Sequence, residues 1–168
     1  MTLERTQPHD LPVLEEIYRG AQEFMKMNGN ATQWGTHYPQ KSLLESDILS
    51  GKSYVIREGG TILATFYLAF GPDPTYTTID GPGWLNEDLY GTLHRVAINM
   101  ETDHKGLGTL CLETAEKLAL KQGVHNLRID THADNIPMQK CIDKNGYTYC
   151  GIITVADGST RLAYQKII

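Results

Sequence analysis

Four groups of residues in this 168-residue chain have the types and spacing for chemistry. One is the turn Asp103-His-Lys-Gly-Leu-Gly-Thr109, which opens an amphipathic segment. A Gly-rich turn at a helix start presents unpaired backbone N–H groups and the positive end of the helix dipole. That combination receives a polyphosphate-like anion. A second is His94, inside the strand-like run 90–98. An imidazole exchanges protons near neutral pH, so His94 is a candidate general base; the plainer reading is a half-buried, hydrogen-bonded strand histidine. A third is Asn135 in Asp134-Asn-Ile-Pro-Met138, placed either to cap a helix or to bond a ligand. The fourth is a set of aromatic residues in loops: Trp34, Tyr38, Tyr76 and Trp84, with Gln33, Asp73, Asp80, Glu87 and Asp88 nearby. Such a rim suits a cationic amine through ring faces and charge, or it simply covers the core.

The elements that must position these groups follow from periodicity. Residues 2–7 read as a short strand. Asp10 is a candidate helix cap with Pro12 in the first turn, and Leu11, Leu14, Ile17, Tyr18, Ala21 and Met25 keep helical spacing up to Gly29. Residues 42–50 form a second short helix stopped by Gly51. Two strands, 53–57 and 61–70, flank the Gly59-Gly60 turn and predict a hairpin. After the breaker Gly71-Pro-Asp-Pro74 come the strand 90–98 and a helix whose apolar stripe is Leu107, Leu110, Cys111, Ala115, Leu118 and Ala119, with Gly123 as its stop. A strand at 126–132, a helix at about 136–144 and two strands near 150–155 and 161–166 complete the chain. Hairpins followed by one strand–helix–strand crossover predict an α/β chain with a mixed sheet and helices on both faces, as one domain over residues 1–168.

Composition narrows the classes. Apolar residues make up 40% and charged residues 21%, and the net charge is −5 with no Lys/Arg block. This balance argues against nucleic acid as a partner. Cys111, Cys141 and Cys150 lack disulfide or zinc spacing, and Cys111 falls on the apolar stripe, where packing explains it. The N-terminus has no apolar leader and no run reaches membrane-spanning length, so the expected setting is cytoplasmic, without membrane contact. His132 and Asp130 alternate on one strand face. A His/Asp pairing there, or a metal site with His94, is conceivable, but no ligand spacing supports a metal.

The Gly-rich turn fits poorly with two nucleotide motifs. A dinucleotide fingerprint wants Gly or Ala where Cys111 stands and comes early in repeated βαβ units. No Walker A string occurs. The run Ile98-Asn-Met-Glu-Thr-Asp-His-Lys-Gly-Leu-Gly108 instead resembles the acetyl-CoA motif of the GNAT N-acetyltransferase superfamily, in which a strand leads into Arg or Gln, two residues, Gly, one residue, and Gly or Ala. Asp134-Asn-Ile-Pro-Met138 and Lys144-Asn-Gly-Tyr147 are similar to that family's fourth-helix start and its Gly-aromatic ending. The match covers the second half of the chain, and the first half agrees in element order. It implies a central twisted sheet of about seven strands.

The resemblance implies an acetyl-CoA-dependent transfer to a primary amine by direct attack, with the acceptor a small amine, amino acid, polyamine or peptide N-terminus. Backbone groups across Asp103, His104, Lys105, Gly106, Leu107, Gly108 and Thr109 would hold the pyrophosphate. Val96, Ala97 and Ile98 would pair with the pantetheine arm, and Asn135 and Met138 would border it. Trp34, Tyr38 and Trp84 would border the acceptor, which enters where the strands at 90–98 and 126–132 splay apart. His94 matches a position where the arylalkylamine acetyltransferases carry a histidine. Two departures stand out. Asp103 replaces the usual Arg or Gln, a cost of a few tenths to ~1 kcal/mol if exposed that Lys105 partly offsets. Ile142 stands where many relatives place a proton-donating Tyr; Tyr147 or Tyr149 would then be the acid, or pack beside the helix end. The alternative is a non-catalytic acyl-CoA binding or sensing protein on the same fold. Exposed terminal strands would allow a homodimer.

Overall fold

The computed structural model describes all residues 1–168. One seven-stranded sheet runs in the order β1-β2-β3-β4-β5-β7-β6. Its strands are β1 (Thr2–Arg5), β2 (Ser53–Glu58), β3 (Thr61–Phe70), β4 (Gly91–Ile98), β5 (Asn126–Thr131), β6 (Thr148–Thr154) and β7 (Thr160–Ile167). Four helices cover it: α1 (Leu11–Met27), α2 (Lys41–Leu49), α3 (Leu107–Lys121) and α4 (Ile136–Lys144). All neighbours pair antiparallel except β4 and β5, which are joined by the α3 crossover. The element order is the one the periodicity predicts, and most ends shift by one or two residues.

Two apolar clusters sandwich the sheet. On one face Leu14, Ile17 and Tyr18 of α1 and Leu44 and Ile48 of α2 pack on Val55, Ile62 and Ala97. On the other, Leu107, Cys111, Leu112, Ala115 and Ala119 of α3 pack on Ile56, Leu63, Leu93, Leu127 and Ile129. The α3 stripe includes Leu112, while Leu110 and Leu118 only border it. Asp10 corrects one expectation. It stands at the α1 start, but its carboxylate turns back to accept from the Gln7 amide at 2.9 Å and to meet Arg57 at 2.6 Å, so it caps no α1 amide.

Two backbone features shape the middle of the sheet. Thr65 faces Ala97 and Tyr67 faces His94, so β4 carries one extra residue there. Arg95 lies in this bulge at φ 53°, the one non-glycine residue with positive φ. Such a backbone costs about 1–3 kcal/mol and persists only when its surroundings over-determine it. Here Tyr18 donates to the Arg95 carbonyl at 2.9 Å, Asp47 takes the guanidinium with bonds of 2.9 and 3.0 Å, and Tyr38 accepts a third at 3.0 Å. The Tyr67 ring lies 4.3 Å beneath. The other feature is a gap: β4 pairs with β5 only at Gly91–Leu127, Thr92–Arg128 and Leu93–Ile129. From His94 and Asp130 onward the two parallel strands part.

Candidate active site

The parted strands open into a cleft of about 1110 Å³. Its walls come from the α1–α2 loop (Gln33, Trp34, Tyr38), α2 (Asp47), β4 (His94, Arg95, Val96), the 71–76 loop (Asp73, Thr75), β5 (Asp130, Thr131), α4 (Asn135, Met138) and β7 (Arg161). Most of these side chains meet only through the fold.

His94 sits at the fork, between two carboxylates. Its Nε2 bonds Asp73 Oδ2 at 3.0 Å, and its Nδ1 lies 3.5 Å from Asp130 Oδ2. Asp73 is held in turn: Oδ1 accepts from the Thr75 amide at 2.9 Å and its hydroxyl at 2.6 Å, and the Asp73 amide donates to Tyr90 Oη at 2.9 Å. Burial alone would raise the Asp73 carboxyl, but the bonds from His94 and Thr75 outweigh it and bring it down to about 2. Asp130 accepts from the buried Tyr76 hydroxyl at 2.7 Å. The rings of Tyr67 and Tyr76 pack on the imidazole with centroids 5.9 and 5.8 Å away. The conceivable pairing of Asp130 with His132 is not formed. His132 accepts from the Asp134 amide at 3.1 Å, beyond the strand end, and Asp130 faces His94 instead.

The α1–α2 loop is pinned over the cleft by Gln33. Its Oε1 accepts from Asn30 at 2.7 Å and from Asn135 at 2.9 Å. Asn135 thereby ties the loop to α4, and its Oδ1 also accepts from the Met138 amide at 3.2 Å. It is a cap that borders the cleft. Trp34 packs between Tyr18 and Tyr38, with ring centroids 5.7 and 6.1 Å away.

The Gly-rich turn lies at the far end of the same fork. Gly106 is the α3 cap at φ 75°, a left-handed conformation that suits glycine. The first intrahelical bond there runs from the Leu110 amide to the Gly106 carbonyl at 3.0 Å, so the amides of Leu107, Gly108 and Thr109 remain unpaired. A Cβ on Gly108 would lie 3.1 Å from Cys141 Sγ and 3.9 Å from Ile98, which shows how closely the turn meets β4 and α4. Leu107 is buried in the core, while Asp103, His104 and Lys105 are exposed. His104 pairs with Glu58 at 2.8 Å, tying the turn to the β2–β3 hairpin. Free amides, an open β4 edge and a glycine-tight turn fit a phosphate-bearing, strand-like ligand.

Two expected site residues lie elsewhere. Trp84 donates to the Tyr76 carbonyl at 3.0 Å and stacks 4.1 Å from the Arg128 guanidinium, which has Tyr90 3.9 Å away on its other face. Trp84 therefore shields a buried arginine and does not line the cleft. Tyr147 is in the α3 core cluster, its hydroxyl buried without a partner, and Lys166 is 5.6 Å from its ring. Burial, helped by nearby Glu116, drives its phenol far above the usual range. Ile142 is fully buried beside it.

The sequence reading links Asp130 to His94 only as a conceivable metal site and does not link Asp73 to it; the structure makes both carboxylates direct neighbours of the imidazole. Sequence reasoning missed Asp47, Arg95 and Arg161. The bulge has no motif, and the signals for Asp73 are its place in the Gly71-Pro-Asp-Pro74 break and its nearness in sequence to the loop aromatics.

Residues 14–147 match the sequence profile of the acetyltransferase (GNAT) family. A GNAT-family acetyltransferase from Streptococcus agalactiae is 30% identical, with a TM-score of 0.87 over 99% of this chain and 95% of that one. Two more distant structures share the fold. The yncA protein of Salmonella typhimurium, solved with its cofactor acetyl-CoA, is 17% identical at TM-score 0.63 over 99% and 92% of the two chains. AAC(6')-Ib, solved with ribostamycin and coenzyme A, is 19% identical at TM-score 0.68 over 99% and 92%. No curated protein matches the chain by sequence.

Proposed function

The chain belongs to the acetyltransferase (GNAT) family, and we propose that it moves an acetyl group from acetyl-CoA to a primary amine by direct attack. The observation that carries this reading is the fork itself. Pairing between β4 and β5 ends at Leu93 and Ile129, His94 stands where the gap opens, and the unpaired β4 edge leads to the free amides of α3. The coenzyme-bound relatives support the choice of donor.

Acetyl-CoA supplies an acyl group activated as a thioester. The chain's own residues do the rest. The amides of Leu107, Gly108 and Thr109, backed by the α3 dipole, would hold the diphosphate. Main-chain groups of Val96, Ala97 and Ile98 would pair with the pantetheine arm as an added strand, with Met138 and Asn135 alongside. Asp73 on Nε2 favours the His94 tautomer with its lone pair on Nδ1. Asp130 lies near that nitrogen, so an entering ammonium would meet a carboxylate and a base together. Asp130 would attract the cation, and His94 would take its proton directly or through a water. The buried Tyr147 is not called on; the departing thiolate is stable enough to take its proton from water.

Release of coenzyme A thiol across a panel of amines tests the reading. Turnover of at least one amine, with calorimetric heat from coenzyme A alone, is the expected result. Heat without turnover for any amine would favour an acyl-CoA sensor, the reading that the buried Ile142 supports. Folded protein that gives no heat with millimolar coenzyme A ends both.

A further inference from the structure

Arg161 is a cleft residue that the transfer chemistry leaves unused. It opens β7 opposite Ile153 of β6 and is 8% exposed. Its Nη1 donates to Ser159 Oγ at 2.9 Å and to the Thr160 carbonyl at 2.8 Å, and its Nη2 reaches the Gln33 carbonyl at 3.4 Å. All three acceptors are neutral. Asp157, the nearest acid in sequence, directs its carboxylate to the Ser159 amide at 2.8 Å and hydroxyl at 2.5 Å, and touches Arg161 only through that serine. The other arginines drawn into the fold are compensated. Arg57 meets Asp10 and Glu4, Arg95 meets Asp47, and Arg128 lies between two aromatic rings away from the cleft. Arg161 alone presents a largely desolvated guanidinium to the cleft with no carboxylate on it. Its Nε–H donates to nothing, and Nη2 keeps one hydrogen free. Nε and Nη2 share one edge of the planar fork, and such an edge grips a carboxylate with two parallel bonds.

We propose that Arg161 seats a carboxylate of the acceptor, so that the acceptor is an amino acid or a similar compound carrying an amine and a carboxylate a few bonds apart. This rests on the transferase reading. The register supports the span. Asp130 pairs with Ala163, and Arg161 lies two residues along β7 on the same face, a separation of about 7 Å along the strand. The guanidinium, anchored at Ser159, Thr160 and Gln33, fixes the far end of that span. Charge fixes the direction of entry. Asp73 and Asp130 around His94 repel a carboxylate and attract an ammonium, while Arg161 does the reverse. A zwitterion therefore enters amine-first toward His94. A simple alkylamine or a polyamine would leave Arg161 without an anion, which a desolvated cation disfavours.

Matched pairs of acceptors test this, each an amino acid against the amine left when its carboxyl is removed. The readouts are thiol release with acetyl-CoA and, separately, calorimetric titration of each compound into the enzyme with coenzyme A. Wild type should prefer the carboxylate-bearing member in kcat/KM by at least about tenfold. Arg161→Gln should collapse that ratio toward one, chiefly through the acceptor KM, with acetyl-CoA KM kept. Arg161→Lys, which keeps the charge without the fork, should restore part of the preference and guards against a merely misfolded variant. A wild-type preference for the decarboxylated amines overturns the subsite while the transferase reading stands. So does a ratio that Arg161→Gln does not change, or a loss confined to acetyl-CoA KM. If no amine is turned over, the transferase reading fails, and the titration still decides: amino-acid heat lost in Arg161→Gln supports the subsite, and no such heat in wild type removes it.

Discussion

The two ends of the β4–β5 fork are built in opposite ways. The α3 end is local: residues 96–109 are one stretch of chain, and the groups offered there are main-chain amides and an open strand edge. The His94 end is assembled from the α1–α2 loop, α2, β4, the 71–76 loop, β5 and β7, and everything it offers is a side chain. Main-chain sites tolerate side-chain change but not a change in backbone shape. Side-chain sites are the reverse. Five substitutions probe this contrast.

His94→Ala should produce the largest effect, a fall in kcat of ~10²-fold or more, the usual worth of a positioned base. Acetyl-CoA affinity should hold, because the α3 end owes nothing to that imidazole. The shape of the rate against pH should change. A variant whose pH–rate profile keeps the wild-type shape would remove His94 from proton transfer.

Gly106→Val should do the converse. A β-branched residue at φ 75° opposes the left-handed backbone that aims the α3 amides. Acetyl-CoA KM should rise roughly tenfold, in line with about 1–2 kcal/mol of strain, while kcat at saturation changes little. Lys105→Ala, next door and exposed, should change KM only by the small factor of a surface charge. If Lys105→Ala costs more than Gly106→Val, the α3 end is not a main-chain site and the contrast fails.

Asp73→Asn probes how the His94 end is held. The Asp73 carboxyl is lower in the folded chain, at about 2, than its ordinary value of 3.8. A depressed carboxyl stabilises the fold fully above the unfolded value, and that support is lost as pH falls toward 2. The stabilisation is at most about 2 kcal/mol, because the side chain is 19% exposed and partly screened. Thermal melts of wild type and Asp73→Asn should therefore differ at pH 6 and converge toward pH 2. A difference that grows on acidification would contradict the assignment. Activity should fall less than in His94→Ala, since the imidazole remains but its orientation is less fixed.

The same contrast explains what could be read before the structure. The α3 turn, the hairpin at Gly59-Gly60, the four helices and the family resemblance were legible because each is written in a few consecutive residues. The expected span of about 136–144 agrees with α4 as found, Ile136–Lys144. The bulge at Arg95 was not legible, because nothing in Leu-His-Arg-Val-Ala marks it; its cause is Tyr18, Asp47 and Tyr38, residues 77, 48 and 57 positions away. Asp73 and Asp130 both stand out in the sequence, yet their meeting on His94 depends on how the 71–76 loop crosses the sheet. For Trp84 the sequence leaves acceptor rim and core cover open, and the structure gives the second. Its true partner, Arg128, belongs to a strand that reads as buried core, where an arginine finds room only between rings.

Tyr147→Phe carries the smallest expected effect and the cleanest logic. The Tyr147 side chain faces the α3 cluster, away from the cleft, and its hydroxyl has no hydrogen-bond partner. Removing an unpaired buried hydroxyl relieves a desolvation cost and leaves the ring's packing intact. Turnover should stay within about twofold of wild type, and the melting temperature should hold or rise slightly. The Gly-Tyr ending of α4 would then serve the core, with proton movement left to the His94 end. A loss of turnover of ten-fold or more, with unchanged melting temperature, would show that the hydroxyl reaches the reaction in a conformation unlike this one, and would move part of the chemistry back toward the helix that the local sequence made easiest to recognise.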